Sequence, residues 1–404
     1  MNRLALLLLL FCSLGLHAQT ETADGSPKAE RALQWMLQQQ ADSLLAAMSD
    51  EMRAALTREQ LTAGVAQVEQ VAGAYKKHGA WSRSQQGQME RWQTDVVFGE
   101  TTFSFVVAFG ADGSIQGLHI MPAQQEADDD PLPADAVEVE DTVRSADGPP
   151  LPAAMVVSGR SANPPIVVMV HGSGALDRDE TVMANKTFCQ LSRLLAERGI
   201  SSLRYDKRTF ATQQPATSMD DETISDAIAA VSLARVYNKK VYLLGHSLGA
   251  MLAPIIAQRT TLDGIIMMAA PARDMDEVVA EQVEYLSAPE TTPEQKQQAI
   301  SMLRSQAPHY FKPQGQVKAA QQLNIPMLLL QGGRDYQVTM HDFDLWQQAL
   351  KGHERAELHS YPTLNHLFIE GEGKSTPQEY LKKGRIPQQV ADDIAHFINH
   401  SLNP

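Results

Sequence analysis

The sequence predicts an α/β protein, a mostly parallel sheet with helices on both faces, preceded by a small α+β domain. Three observations predict it. From Ile166 to Leu402, short apolar runs alternate with helical segments, the rhythm of a parallel sheet buried on both sides. Ahead of that region, helical periodicity changes near Trp81 to short β-rich stretches. Between the two lies an acidic stretch with two prolines, Pro131 and Pro133, the composition of a connector.

The chain opens MNRLALLLLLFCSLGLHAQT. Arg3 supplies a charged start, and residues 4–16 form an apolar run too short for a bilayer, which needs about 20 residues. Small Ala18 then offers a cleavage site before polar Gln19–Glu21. This three-part build predicts a signal peptide over residues 1–18, and hence a secreted or periplasmic protein. Phe11 precedes Cys12 where a lipoprotein would carry a small residue. With two cysteines in all, the cleaved chain keeps only Cys189, expected as a small buried hydrophobe.

Composition excludes several classes. Forty-eight acidic side chains against 34 basic ones give a net charge of −14, which argues against phosphate binding and so against nucleic acid. Two cysteines cannot build a disulfide framework or an all-cysteine zinc site. No H-E-x-x-H or G-x-G-x-x-G occurs, so no metal or cofactor is expected. After the signal, no segment approaches eighteen uninterrupted apolar residues, so no membrane span is expected.

Residues 28–75 read as helical, with Ala32, Leu33, Met36, Leu37, Leu44, Leu45 and Met48 at helical spacings. Leu61, Val65, Val68 and Val71 continue the pattern. Trp92, Val96, Phe103, Phe105, Val107 and Phe109 read as strands. Gly110–Gly113 is a turn, and Ile115–Ile120 returns as a strand. These make an α+β domain over 28–122. Residues 123–152 read as a solvated acidic linker running into the first strand of the next domain. The span 126–147 holds nine acidic residues and one arginine, so more than half of the net charge sits there.

The main domain is expected over 153–404. Strands are predicted at 166–170, 200–205, 241–244, 264–268, 326–330 and 357–361. Helices are predicted at 188–198, 225–236, 248–258, 343–350 and 390–402. Residues 272–324 break the rhythm with about fifty polar, mostly helical positions. An insertion that long is usually functional, and it reads as a lid. Met302, Leu303, Tyr310 and Phe311 are its candidate pocket walls.

Gly245-His-Ser247-Leu-Gly249 fits G-x-S-x-G between an apolar strand and a helical segment, the setting of a nucleophile elbow. Gly245 and Gly249 belong there because a Cβ at either place would clash in so tight a turn. A serine hydroxyl needs a base, and the base needs a carboxylate to hold its tautomer. Asp335 closes the run Met327–Asp335, at a strand's C-terminal end where open α/β sheets place their sites. Asp342 and Asp344 are rivals on or beside the next helix. His366 follows the last strand, whereas His359 lies inside that strand and His353 precedes it. The oxyanion donors are expected to be the backbone N–H groups of Leu248, directly after the nucleophile, and of Ser173, in His171-Gly-Ser-Gly174. His171 itself reads as a structural hydrogen bonder. The charged runs Asp177–Glu180 and Asp206–Arg208 read as caps and ion pairs.

These motifs resemble those of bacterial α/β-hydrolase fold serine esterases that carry a small N-terminal domain of unknown function. The resemblance rests on His171–Thr181, Leu203–Thr209, Gly245–Ala250, Gly332–Asp335 and Asn365–Phe368. Ala175 stands where relatives often have proline. The resemblance implies hydrolysis of short-chain acyl esters, a small-molecule ester substrate and no cofactor. Two other readings stay open. One is a serine aminopeptidase on the same fold, which would need an acidic pocket for a substrate amine from Asp274, Asp276, Glu277 and Glu281. The other is a non-catalytic binding protein.

Overall fold

The computed structural model describes residues 21–23, 26–86, 89–99, 101–123, 130–289 and 291–402. The expected signal peptide, 1–18, lies outside the described residues. The chain divides into two compact units.

The N-terminal unit is built on a five-stranded antiparallel sheet: β1 (Glu21–Ala23), β2 (Tyr75–Gln86), β3 (Met89–Phe98), β4 (Thr101–Phe109) and β5 (Ile115–Pro122), in that spatial order. Four short helices precede β2: α1 (Pro27–Leu37), α2 (Ala41–Ala47), α3 (Asp50–Ala55) and α4 (Arg58–Ala72). The helical stretch expected from the sequence is thus cut three times. Gln39 takes φ of 55° after α1, a conformation no helix continues through. Ser49 accepts from the Met52 N–H and restarts the chain as α3, an N-cap role. Leu56 is extended, which ends α3. The apolar face Ala29–Ala32–Leu33–Met36 of α1 meets Trp81, Trp92, Val96 and Phe105 of the sheet. Removing each large side chain from water stabilises the unit by roughly 1.5–3 kcal/mol.

The second unit holds an eight-stranded sheet. Its strands in chain order are β6 (Ala136–Arg144), β7 (Pro150–Ser158), β8 (Ile166–Val170), β11 (Ser201–Tyr205), β12 (Val241–His246), β13 (Gly264–Met268), β14 (Met327–Gly332) and β15 (Ala356–Tyr361). A two-stranded hairpin, β9 (Thr181–Val182) with β10 (Asn185–Lys186), lies between β8 and β11. The spatial order is β15-β14-β13-β12-β8-β11-β7-β6. From β15 to β11 every pairing is parallel, while β7 runs antiparallel to both β11 and β6. The six parallel strands therefore deliver their C-terminal ends to one edge.

Successive side chains of a strand face opposite sides, and the core divides accordingly. Val168 and Val170 join the cluster containing α7 (Ser225–Tyr237), α8 (Leu248–Arg259) and α12 (Met340–Ala349). Val167 and Met169 join the opposite cluster, with α5 (Thr187–Ala196) and α13 (Gln388–Leu402). Cys189 is buried on α5. A short helix, α6 (Arg208–Thr212), and a π-turn at Asp220–Ile224 precede α7. Between β13 and β14 stand α9 (Met275–Leu286), α10 (Pro293–Gln306) and α11 (Gln316–Gln322). They occupy the span read as a lid. Thr292 and Gln295 form a reciprocal capping box that fixes the start of α10.

Within the stretch expected as a linker running into a first strand, residues 136–144 form the edge strand β6, paired along its whole length with β7. Its acids hid the strand pattern, but several are neutralised in place. Glu138 binds Arg193 at 2.7 Å and also pairs with Arg204, and Glu140 binds Arg178 at 2.5 Å. No described helix is long and apolar enough to cross a membrane.

Candidate active site

Ser247 sits between the last residue of β12 and the first of α8, with φ 53° and ψ −114°. A non-glycine residue there is strained by roughly 1–3 kcal/mol. The surroundings enforce it. The Ser247 N–H donates to the Met268 carbonyl at 2.9 Å, and the Ser247 carbonyl accepts from Met251 in the first turn of α8 at 2.9 Å. A Cβ on Gly245 would lie 2.3 Å from the Gly249 carbonyl carbon, and one on Gly249 would lie 2.2 Å from the Val170 oxygen. Neither position accepts any other residue, as the motif implied.

Asp335 lies just past β14 and His366 in the loop after β15. His366 Nδ1 is 2.7 Å from Asp335 Oδ2, and both residues are buried. The other carboxylate oxygen accepts the backbone N–H groups of Gln337 (2.8 Å) and Val338 (3.0 Å). With Nδ1–H donating to Asp335, the imidazole lone pair is left on Nε2. The loop bearing His366 is shaped by Asn365. Its Oδ1 accepts from Leu367 and Ile369, and its Nδ2 donates to Glu379. His246, next to the nucleophile, packs its ring 4.7 Å from that of His366 and has Nε2 2.9 Å from the His366 carbonyl. The structure pairs Asp335 with His366 and sets the His366 ring against His246, the residue directly before Ser247.

The His171–Gly174 loop follows β8 on the same edge. A Cβ on Gly172 would stand 3.3 Å from the Ser247 Cβ, so this loop is in direct contact with the nucleophile. The polar groups on either side of Ser173 are occupied. Gly172 N–H donates to Glu180 (2.7 Å), Gly172 C=O accepts from Lys207 (2.7 Å), and Gly174 N–H donates to the Tyr310 hydroxyl (3.0 Å). Among the described hydrogen bonds, none uses the Ser173 N–H. Leu248 is the first residue of α8, and a helix's first N–H groups have no partner within the helix. The sequence expects the oxyanion donors at these two N–H groups.

Sequence reasoning missed the groups beneath the loop. Glu180, in a run read only as caps and ion pairs, is buried with Oε1 3.1 Å from His246 Nδ1. Burial alone would lower the His246 pKa, but the Glu180 carboxylate raises it overall. Glu180 is in turn held low, against its own burial, chiefly by His246. Lys207 and Glu222 form a buried pair at 2.5 Å. Glu222 also receives His309 and the Tyr310 hydroxyl, each at 2.6 Å. Burial would raise the Glu222 pKa, but Lys207 and these bonds bring it down to about 2. The signal was present as buried charge in Asp177–Glu180 and Asp206–Arg208, but partners far apart in sequence cannot be read from spacing.

The rivals have other places. Asp342 is fully buried and binds Arg273 at 2.7 Å. His353 contacts the Leu323 carbonyl and His359 lies 3.8 Å from Glu357. His171 has Nε2 2.9 Å from the Asp177 carbonyl, and burial lowers its pKa to about 4, so it is a neutral structural group. Of the acids proposed for an amine pocket, Asp276 pairs with Arg304, and Glu281 binds Arg273 at 2.5 Å. Of the expected pocket walls, Leu303 belongs to the core and Met302 is exposed. Phe311 lies under Arg304, and Tyr310 is hydrogen-bonded. No group of three or more described His, Cys, Asp or Glu residues could hold a metal ion.

Residues 167–382 match the family described as "Alpha/beta hydrolase family". The chain belongs to that family. As an alpha/beta hydrolase it has a full-length relative in Esterase EstD of Thermotoga maritima, 33% identical over 386 residues, which are 91% of this chain and 93% of the relative. Residues 29–118 match a family described as a protein of unknown function, DUF3887. Similar solved structures include an esterase of Pyrococcus furiosus, with TM-score 0.48 and 15% identity over 66% of this chain and 91% of that one. The esterase domain of a Rhodothermus marinus protein has TM-score 0.41 and 18% identity over 65% and 98%.

Proposed function

We propose that this protein is a serine carboxylesterase that hydrolyses short-chain acyl esters through an acyl-enzyme on Ser247. The observation that carries the reading is the buried Asp335–His366 pair at 2.7 Å, joined through His246 to a serine held at an elbow. Kinship with an esterase over nine-tenths of the chain supports the same reaction.

In this reading His366 Nε2 takes the Ser247 proton as Oγ attacks the ester carbonyl. The tetrahedral oxyanion is held by the Leu248 and Ser173 N–H groups, aided by the N-terminus of α8. His366 then protonates the leaving alcohol. Water, deprotonated by the same imidazole, releases the acid and restores Ser247. Asp335 holds the tautomer and stabilises the imidazolium. The peptidase alternative is less well supported, because Asp276 and Glu281 already bind arginines. Export to the periplasm or beyond is part of the proposal. It rests on Arg3, the apolar run 4–16 and Ala18.

The test is turnover of p-nitrophenyl acetate together with labelling by a fluorophosphonate. Wild-type protein is expected to do both, and Ser247→Ala neither. Unchanged turnover in Ser247→Ala would overturn the reading.

A further inference from the structure

Tyr310 lies between α10 and α11, in the inserted helical span, more than 130 residues from the loop it touches. It is buried, as are Glu222 and Lys207. Its hydroxyl has two opposite uses. It accepts the Gly174 N–H at 3.0 Å and donates to Glu222 Oε1 at 2.6 Å. The donor direction is fixed by chemistry, since an ionised carboxylate can only accept. Glu222 also binds Lys207 (2.5 Å), and the same ammonium donates to the Gly172 carbonyl (2.7 Å). The chain Gly172–Lys207–Glu222–Tyr310–Gly174 therefore closes a ring of polar contacts around Ser173.

We propose that Tyr310 is a positioning residue that, through Glu222 and Lys207, clamps the loop on both sides of Ser173 so that the inserted helices complete the oxyanion site. The inference rests on the reading that the Ser173 N–H binds the oxyanion. Without the clamp, Gly172 and Gly174 leave a flexible loop. An oxyanion donor stabilises charge only if its place is set before the reaction. The Lys207–Glu222 pair also gains from the arrangement, because a buried ion pair needs its remaining hydrogen-bonding capacity filled.

The test uses the full chain and Tyr310→Phe, which keeps the ring and removes the hydroxyl. Turnover of p-nitrophenyl acetate is measured per active centre, counted by end-point fluorophosphonate labelling. Binding of an alkyl trifluoromethyl ketone, which adds to the serine as a tetrahedral anion, is measured alongside. Displacing the donor is expected to lower kcat about tenfold to hundredfold with KM within about twofold, and to weaken the ketone by a similar factor. A purely structural tyrosine would lower the count of active centres but leave both quantities per centre unchanged, and that result overturns the proposal. A change in KM alone also overturns it. If Tyr310→Phe does not fold, Glu222→Gln carries the same expectations and the same refutation. Ser247→Ala separates the two levels. If it keeps turnover, the esterase reading itself has failed. If it is inactive while Tyr310→Phe and Glu222→Gln match wild type per centre, only the clamp has failed.

Discussion

At the residue scale the site depends on what each heavy atom can accept. Asp335 is fully engaged: one oxygen takes two backbone N–H groups and the other faces His366. In Asp335→Asn the amide oxygen is expected to keep the two backbone donors, which turns the NH2 toward His366. The imidazole must then present a lone pair at Nδ1 and carry its proton on Nε2, the wrong place for a base. Loss of kcat by about 10⁴-fold, with the fold kept, is the expected outcome. Steady-state kinetics beside a circular-dichroism spectrum checks it, and a loss under tenfold would show that Asp335 does not set the tautomer. The three candidate side chains were singled out in the sequence by the elbow motif and the chain order. The second layer was not. Glu180 and Lys207 lay inside runs of alternating charge, and charge runs are usually solvated. Only the fold shows that His246, Glu222 and Tyr310 come to meet them.

At the element scale the central parallel strands were legible as short apolar runs, Ile166–Val170, Gly264–Met268 and residues 327–330 among them, separated by segments of helical period. The strand Gly264–Met268 has the bounds expected for it. β6 was legible only as a first strand within 123–152 and not by its bounds, because Val137, Val139 and Val143 alternate with polar residues in a segment that also carries prolines upstream. Val137 and Val139 are exposed, while Ala136 and Val143 near its two ends are buried, so hydrophobic burial holds only the ends of this strand. Its backbone ladder to β7 and the pairs from Glu138 to Arg193 and Arg204 hold it. The Arg204 side chain is only 2% exposed, so removing its partner leaves charge buried. Glu138→Ala is expected to destabilise the second unit by roughly 2–4 kcal/mol, since Asp179 still pairs with Arg204. Urea unfolding followed by fluorescence measures this, and a midpoint equal to wild type would contradict it. Likewise, the break of the first helical stretch into α1–α4 turns on the Gln39 and Leu56 backbone, which residue periodicity does not report.

At the scale of the whole molecule the net acidity had looked like a connector property. The structure moves part of it into an edge strand where it neutralises buried arginines. Two titrating groups that matter for stability lie under the active site. His171 has its folded pKa depressed to about 4 by burial, against about 6.5 unfolded. Between those values the unfolded chain holds the extra proton, so stability falls as pH drops from about 6.5 toward 4. Glu222 is depressed to about 2 from 4.5, so its contribution is complete above 4.5 and is lost as pH falls below it. Both act in one direction. His246, whose pKa Glu180 raises, acts the other way only above its ordinary value of 6.5, so the melting temperature is expected to fall from about pH 6.5 to pH 4 and more steeply below 4.5. A flat profile over that range would rule out His171 and Glu222 as buried determinants of stability.

The central claim is that Ser247 carries the acyl group in turnover. Rapid mixing with p-nitrophenyl acetate, an acid quench and peptide mapping by mass spectrometry test it most directly. The account predicts one acetyl group per molecule on the peptide containing Ser247, formed within the burst of nitrophenol and absent from Ser247→Ala. Steady hydrolysis with no acetylated peptide, or with the acetyl group on another residue, would contradict it.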